Sequence, residues 1–148
     1  MNLKSIGMIV SLCQIIRWLH PLSAEGKTYA IEGKIEYVDQ GKIFVYLVDE
    51  EIFSTPLTGL QTIILDTTAS DKYVSSVVFK FQNLKPGRYG IRCFQDTNGN
   101  GKLDQGLFGP SEPWGMSWKS KQPSKWPRFE NVAFQVHSDL QPIVIELQ

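Results

Sequence analysis

The chain reads as an all-β protein, an antiparallel sandwich of about seven strands behind an apolar leader. Three observations predict this. Short apolar or alternating runs recur between clusters of Gly, Pro, Asn and Asp, which is the spacing of strands and turns. No stretch beyond residue 25 carries the three- and four-residue apolar spacing of an amphipathic helix. The 148 residues, 42% apolar and 20% charged, build one ordinary core and exclude both a large multidomain enzyme and a disordered chain.

Residues 1–24 read as a signal peptide and residues 25–148 as the single sandwich domain. Lys4 gives a positive start, residues 6–13 form an apolar run, and Pro21, Leu22, Ser23 and Ala24 offer a cleavage region before Glu25. Gln14 and Arg17 interrupt the run before the roughly 20 apolar residues a bilayer span requires. The expectation is a periplasmic or secreted protein with no transmembrane segment in the mature chain. An attached amphipathic helix and a lipid-anchored outer-membrane form through Cys13 are the competing readings. Removing Lys4 and Arg17 from the 15 basic residues leaves 13 against 15 acidic ones, so no positive field favours nucleic acid. Only Cys93 then remains, which excludes an internal disulfide and suits a buried packing residue. A monomer is expected.

Seven strands follow in order. Residues 29–37 put Tyr29, Ile31, Ile35 and Tyr37 on one side of a pleat, and residues 42–48 follow a turn at 39–41, so the two are expected to form a hairpin. Further strands are expected at 61–65, at 74–81 where Val77, Phe79 and Phe81 alternate, at 88–95, at 132–136 and at 143–147. Between Leu84 and Arg88, Pro86 presets φ for a turn and Gly87 offers positive φ, with Tyr89 placed to anchor the corner through its hydroxyl. This turn resembles that of transthyretin-like and carboxypeptidase-regulatory-like sandwiches, in the wider Ig-like class.

The segment Asp96-Thr-Asn98-Gly-Asn100-Gly101-Lys102-Leu-Asp104 carries the most specific chemistry. Side-chain oxygens stand at loop positions 1, 3, 5 and 9 with Gly at 6, the spacing by which a curled backbone aims oxygens at a hard cation. Asp96, Asn98, Asn100 and Asp104 fill those slots, and Lys102 offers its carbonyl at position 7. Position 12 is Leu107 rather than a bidentate Glu. Glu112 is expected to fold back through bends at Gly106 and Gly109 and supply the missing carboxylate. With so few charges, calcium affinity is expected in the weak extracellular class, about 10⁻⁴ to 10⁻³ M. The competing reading is a turn built by two Asn-Gly pairs.

The series Phe81-x-x-Leu84-x-Pro86-Gly87-x-Tyr89, the Asp96 to Asp104 loop, Pro110-x-Glu112-x-x-Gly115-x-Ser117 and Pro127-x-Phe129-x-x-Val132-x-Phe134 is similar to the DUF2141 family, small exported bacterial proteins of unknown function. The resemblance runs from about Ile31 to the end. It implies an all-β sandwich in an envelope or extracellular setting and no established enzymatic activity. Met116 departs from the family's usual Phe.

Trp114, Trp118 and Trp126 interleave with Lys119, Lys121, Lys125 and Arg128 in a long stretch of little periodicity. Packing the loop onto the sandwich is the favoured role, since a loop of that length needs apolar anchors. A groove for glycan, lipid headgroup or a partner protein is the alternative. Catalytic patterns are thin. His137 has no spaced metal-ligand partners, Ser117 lacks a nucleophile-elbow setting, and no phosphate-binding glycine motif occurs. The expectation is a non-catalytic domain whose calcium loop orders the Trp-bearing segment.

Overall fold

In the computed structural model the described residues are 26–37, 40–67, 75–120, 122, 127–138 and 142–148. The leader with Cys13, residue Val74, Lys121, Lys125 and Trp126 lie outside them.

Ten strands run in order: β1 (Tyr29–Tyr37), β2 (Gly41–Val48), β3 (Gln61–Thr67), β4 (Ser75–Leu84), β5 (Gly87–Asp96), β6 (Gln105–Gly106), β7 (Gly109–Pro110), β8 (Trp114–Met116), β9 (Phe134–Val136) and β10 (Ile143–Glu146). Among the described residues one 3-10 turn occurs, at Phe129–Asn131. One sheet has the order β10-β1-β4 and the other β3-β2-β5-β8, with β9 beside the start of β5. The expected all-β sandwich is therefore the fold. Three of the four strands of two or three residues, β6 to β8, lie in the stretch whose sequence shows no period.

Alternation builds the core. Ile31 and Ile35 of β1, Phe79 and Phe81 of β4, Ile43, Val45 and Leu47 of β2, and Ile91 and Cys93 of β5 all point into one cluster between the sheets. The expected hairpin between the first two strands does not form. β1 pairs with β4 and β10, whereas β2 pairs with β3 and β5. The reason is burial: in opposite sheets, Ile31 and Ile35 meet the apolar side chains of β2 across the core instead of lying beside them. The sandwich also contains one parallel pair, β1 with β10, in register Gly33 to Ile143.

The turn at Pro86 likewise joins two sheets. β4 carries an extra residue near its end, where the register shifts between the pairs Ile31–Phe81 and Tyr29–Leu84. Asn83 takes the left-handed conformation at this bulge, φ 58°. Positive φ was expected at Gly87, but the bulge has already redirected the chain at Asn83. Tyr89 anchors the corner as expected, its hydroxyl donating to the Lys85 carbonyl at 2.9 Å.

Both seams between the sheets are stitched. On one side the Gln61 side-chain amide donates to the Gln82 carbonyl at 2.8 Å. On the other, Trp114 and Gln148 exchange backbone hydrogen bonds in both directions; within the first sheet, Leu147 N–H extends the β1–β10 pairing by donating to the Glu36 carbonyl. Such stitching covers edges that would otherwise template pairing with other chains. Gly115 makes the close approach possible, because a Cβ there would stand 2.7 Å from Ile145 Cγ2 and 2.9 Å from the Glu146 carbonyl oxygen.

The outer face of the second sheet is also apolar. Tyr46 and Val48 of β2 and Phe94 of β5 pack with Phe53, Phe129, Val132 and Ala133 in a separate cluster. Phe44 stacks on Phe94 with ring centroids 5.0 Å apart. This double burial explains why β2 reads as a nearly unbroken apolar run. Arg92, on the same face of β5, donates to the carbonyls of Phe53, Thr55 and Thr58 and lies over the Tyr46 ring. Burial lowers its pKa, with no carboxylate offsetting it among the described residues.

Candidate functional site: the Asp96 to Asp104 loop

β5 delivers Asp96 to the mouth of the loop, where only 3% of the residue is exposed. Its Oδ1 accepts the backbone N–H groups of Gly99 at 2.8 Å and Asn100 at 3.1 Å, and its Oδ2 accepts that of Gly101 at 2.8 Å. Three amide donors aimed at one carboxylate form a tight curl. Gly99 and Gly101 allow it, with φ of 77° and 74°, a region that side-chain-bearing residues enter at a cost.

The two asparagines serve twice. Asn98 Oδ1 accepts the Asn100 N–H at 3.1 Å and Asn100 Oδ1 accepts the Lys102 N–H at 2.8 Å, two successive side-chain turns. Their amide nitrogens converge on Asp104 Oδ2, at 2.6 Å from Asn98 and 2.9 Å from Asn100. Positions 1, 3, 5 and 9 of the predicted pattern are thus gathered into one network. Lys102 is exposed.

Glu112 returns to the loop as expected. β6 and β7 form a two-rung hairpin that reverses the chain, with Gly109 at φ 132°. Glu112 as a residue is 5% exposed. Its carboxylate Oε1 accepts both the N–H and the hydroxyl of Thr97, at 2.9 and 3.2 Å, and its Oε2 accepts the Asp104 N–H at 3.2 Å. One carboxylate therefore braces both ends of the loop. The contribution of Thr97 has no signal in the spacing pattern, which assigns nothing to position 2.

No described Lys, Arg or His forms an ion pair with Asp96, Asp104 or Glu112; the ion pairs among the described residues lie elsewhere. Backbone and side-chain amides, with the Thr97 hydroxyl, donate to the three carboxylates there. As arranged, no group of three or more His, Cys, Asp or Glu side chains among the described residues is close enough to hold a metal ion. An open cleft borders the loop, lined by Lys42, Phe44, Asp66, Asp96, Thr97 and Asn98 among others.

Trp114 and Trp118 lie on the neighbouring outer face of the second sheet. Trp114 pairs with Phe94 across β8 and β5 and meets Trp118 edge-on at 6.0 Å. Both are partly buried against the outer aromatic cluster. Ser117 has a structural role: its hydroxyl donates to the Val132 carbonyl at 2.8 Å and accepts the Ile91 N–H at 2.9 Å. Cys93 is buried against the Gly115 carbonyl, and burial pushes its thiol up to about 12. It has no thiolate to offer at neutral pH.

Residues 36–143 match the family described as "Uncharacterized protein conserved in bacteria (DUF2141)". The chain belongs to DUF2141. The matched span includes the whole loop, the returning Glu112 and the segment bearing Trp114 and Trp118. No curated protein and no solved structure matches this DUF2141 chain. Among its described residues, no helix is long and apolar enough to cross a membrane.

Proposed function

We propose that this DUF2141 protein is an exported, periplasmic or secreted, non-catalytic sandwich whose Asp96 to Asp104 loop takes up calcium and thereby orders the segment bearing Trp114 and Trp118. The observation that carries this reading is that three carboxylates, two of them buried, are hydrogen-bonded into one curled loop with no described cationic partner. Buried carboxylates are costly unless paired, hydrogen-bonded or bound to metal. Here N–H groups supply the compensation, and a hard cation would add to it.

The donor set suits calcium, being all oxygen and flexible. Asp96, Asn98, Asn100, Asp104 and the Lys102 carbonyl would hold the ion, with Glu112 in support. The asparagines now turn their nitrogens toward Asp104, so uptake requires both amides to present oxygen instead. The ion would supply charge neutralisation and cross-linking, not chemistry. Because Glu112 leads directly through Pro113 into β8, fixing the loop also fixes Trp114.

Binding to the folded state alone raises stability by mass action. Thermal melting of the chelator-stripped protein is expected to shift upward with millimolar calcium, and Asp96→Ala is expected to abolish the shift. An unchanged midpoint in the unmodified protein refutes the reading.

A further inference from the structure

The hairpin that returns Glu112 to the loop ends in two apolar side chains. Leu107 is 90% exposed and Phe108 98%, the most exposed large hydrophobic residues among those described. Scattered exposed apolar residues need no explanation, but adjacent ones at a projecting tip do. The hairpin has a defined stem: Gln105 pairs with Pro110 and Gly106 with Gly109. Its base is fixed by the Ser111 N–H to Asp104 carbonyl bond and by Glu112 holding the Asp104 N–H. A supported turn thus holds Leu107 and Phe108 away from both apolar clusters.

Residues 105–110, Gln-Gly-Leu-Phe-Gly-Pro, carry no charge. The first charged groups on either side are Asp104 and Glu112, at the base and already hydrogen-bonded. The uncharged stem is two residues of strand, about 7 Å. That length matches the depth of about 5–10 Å to which apolar side chains enter the headgroup and acyl boundary of a bilayer. Sinking the hairpin to its base desolvates no ion.

Area selects the occupant. One aromatic side chain buries about 150–250 Å², and Leu adds less, so the pair falls well short of the roughly 800 Å² per partner of a stable protein interface or dimer. A convex tip of two side chains does suit a fluid lipid interface, which closes around it without a preformed groove. We infer that Leu107 and Phe108 form a wedge that inserts into a lipid surface, weakly and reversibly, by apolar partition and not by charge. The inserting side chains, Leu107 and Phe108, are not among the proposed calcium ligands, so their insertion is tested with calcium absent.

The test uses the full chain and neutral phosphatidylcholine vesicles in chelator. The Leu107→Ser/Phe108→Ser double variant is expected to lower the partition coefficient by about tenfold or more. Val78→Ser, another exposed apolar position, leaves it unchanged. To read the tip whatever else holds the chain on the vesicle, an environment-sensitive fluorophore is placed at Leu107→Cys in a Cys13→Ser background. Its emission is expected to shift blue on vesicle addition and to be quenched by acyl-chain quenchers. A fluorophore that remains in water while the chain is vesicle-bound overturns the inference. So does binding that requires anionic lipid and disappears in high salt, or an equal loss in Val78→Ser.

Discussion

Glu112 holds Thr97 twice, accepting its backbone N–H at 2.9 Å and its hydroxyl at 3.2 Å through the same oxygen. Its other oxygen accepts from Asp104. The contact joins two segments fifteen residues apart in sequence and makes the calcium-loop candidate and the hairpin one structural unit.

Replacing Glu112 by Ala leaves the Thr97 and Asp104 amides without that acceptor. Hydrogen bonds to charged groups contribute about 1.5–3 kcal/mol each, with strong non-additivity. A loss of about 2–3 kcal/mol is expected for Glu112→Ala. Glu112→Gln, which keeps one acceptor oxygen but turns an NH2 toward the other donor and removes the charge, recovers only part of that loss. Urea unfolding of both variants measures the difference.

Two glycines are required by their neighbours. A Cβ on Gly33 would stand 2.2 Å from the Phe79 ring and 2.6 Å from the Ile143 carbonyl oxygen, while one on Gly115 would press on Ile145. Gly33→Ala and Gly115→Ala are each expected to destabilise by about 1–3 kcal/mol through overpacking. Gly26→Ala, with nothing within 4 Å of the new atom, is the neutral comparison. Thermal midpoints rank the three.

Arg92 binds three carbonyls of the segment after β2 with its planar guanidinium. Lys offers one ammonium and cannot span them. Arg92→Lys is expected to cost about 1–2 kcal/mol and to speed amide exchange across residues 53–60 while leaving β5 protected. Exchange mass spectrometry resolves the two regions.

Cys93 gives a pH dependence. Burial raises its thiol from an ordinary 9.0 to about 12, so the unfolded chain releases the proton first. The stability linked to this group is complete below about pH 9 and is lost as pH rises toward 12, by up to about 1.4 kcal/mol per pH unit. Cys93→Ser is expected to flatten that alkaline decline, measured as denaturant midpoints at about pH 8 and about pH 10.5. Thiol reagents at neutral pH are expected to modify Cys93 only on unfolding.

Much of this was legible in the sequence. Short apolar or alternating runs between turn residues located the seven expected strands, and where they alternate, a side chain's face follows from its parity. Which strands pair was not legible: parity states that Ile31 and Ile43 are buried, not whether they lie side by side or face to face. That ambiguity produced the mistaken hairpin between β1 and β2. β6 to β8 escaped because two- and three-residue strands carry too few positions to show a period. In the candidate site, spacing identified Asp96, Asn98, Asn100 and Asp104, and the glycine bends pointed to the return of Glu112. Thr97 and Arg92 were missed because their roles depend on partners distant in sequence.

The parallel pairing of β1 with β10 has a consequence for biogenesis. β1 receives this neighbour only after β10, more than a hundred residues later in the chain, has been made. Contacts of such long range slow folding. A chain lacking Ile143–Glu146 leaves one edge of β1 unpaired, a row of free N–H and C=O groups that can template pairing with another chain.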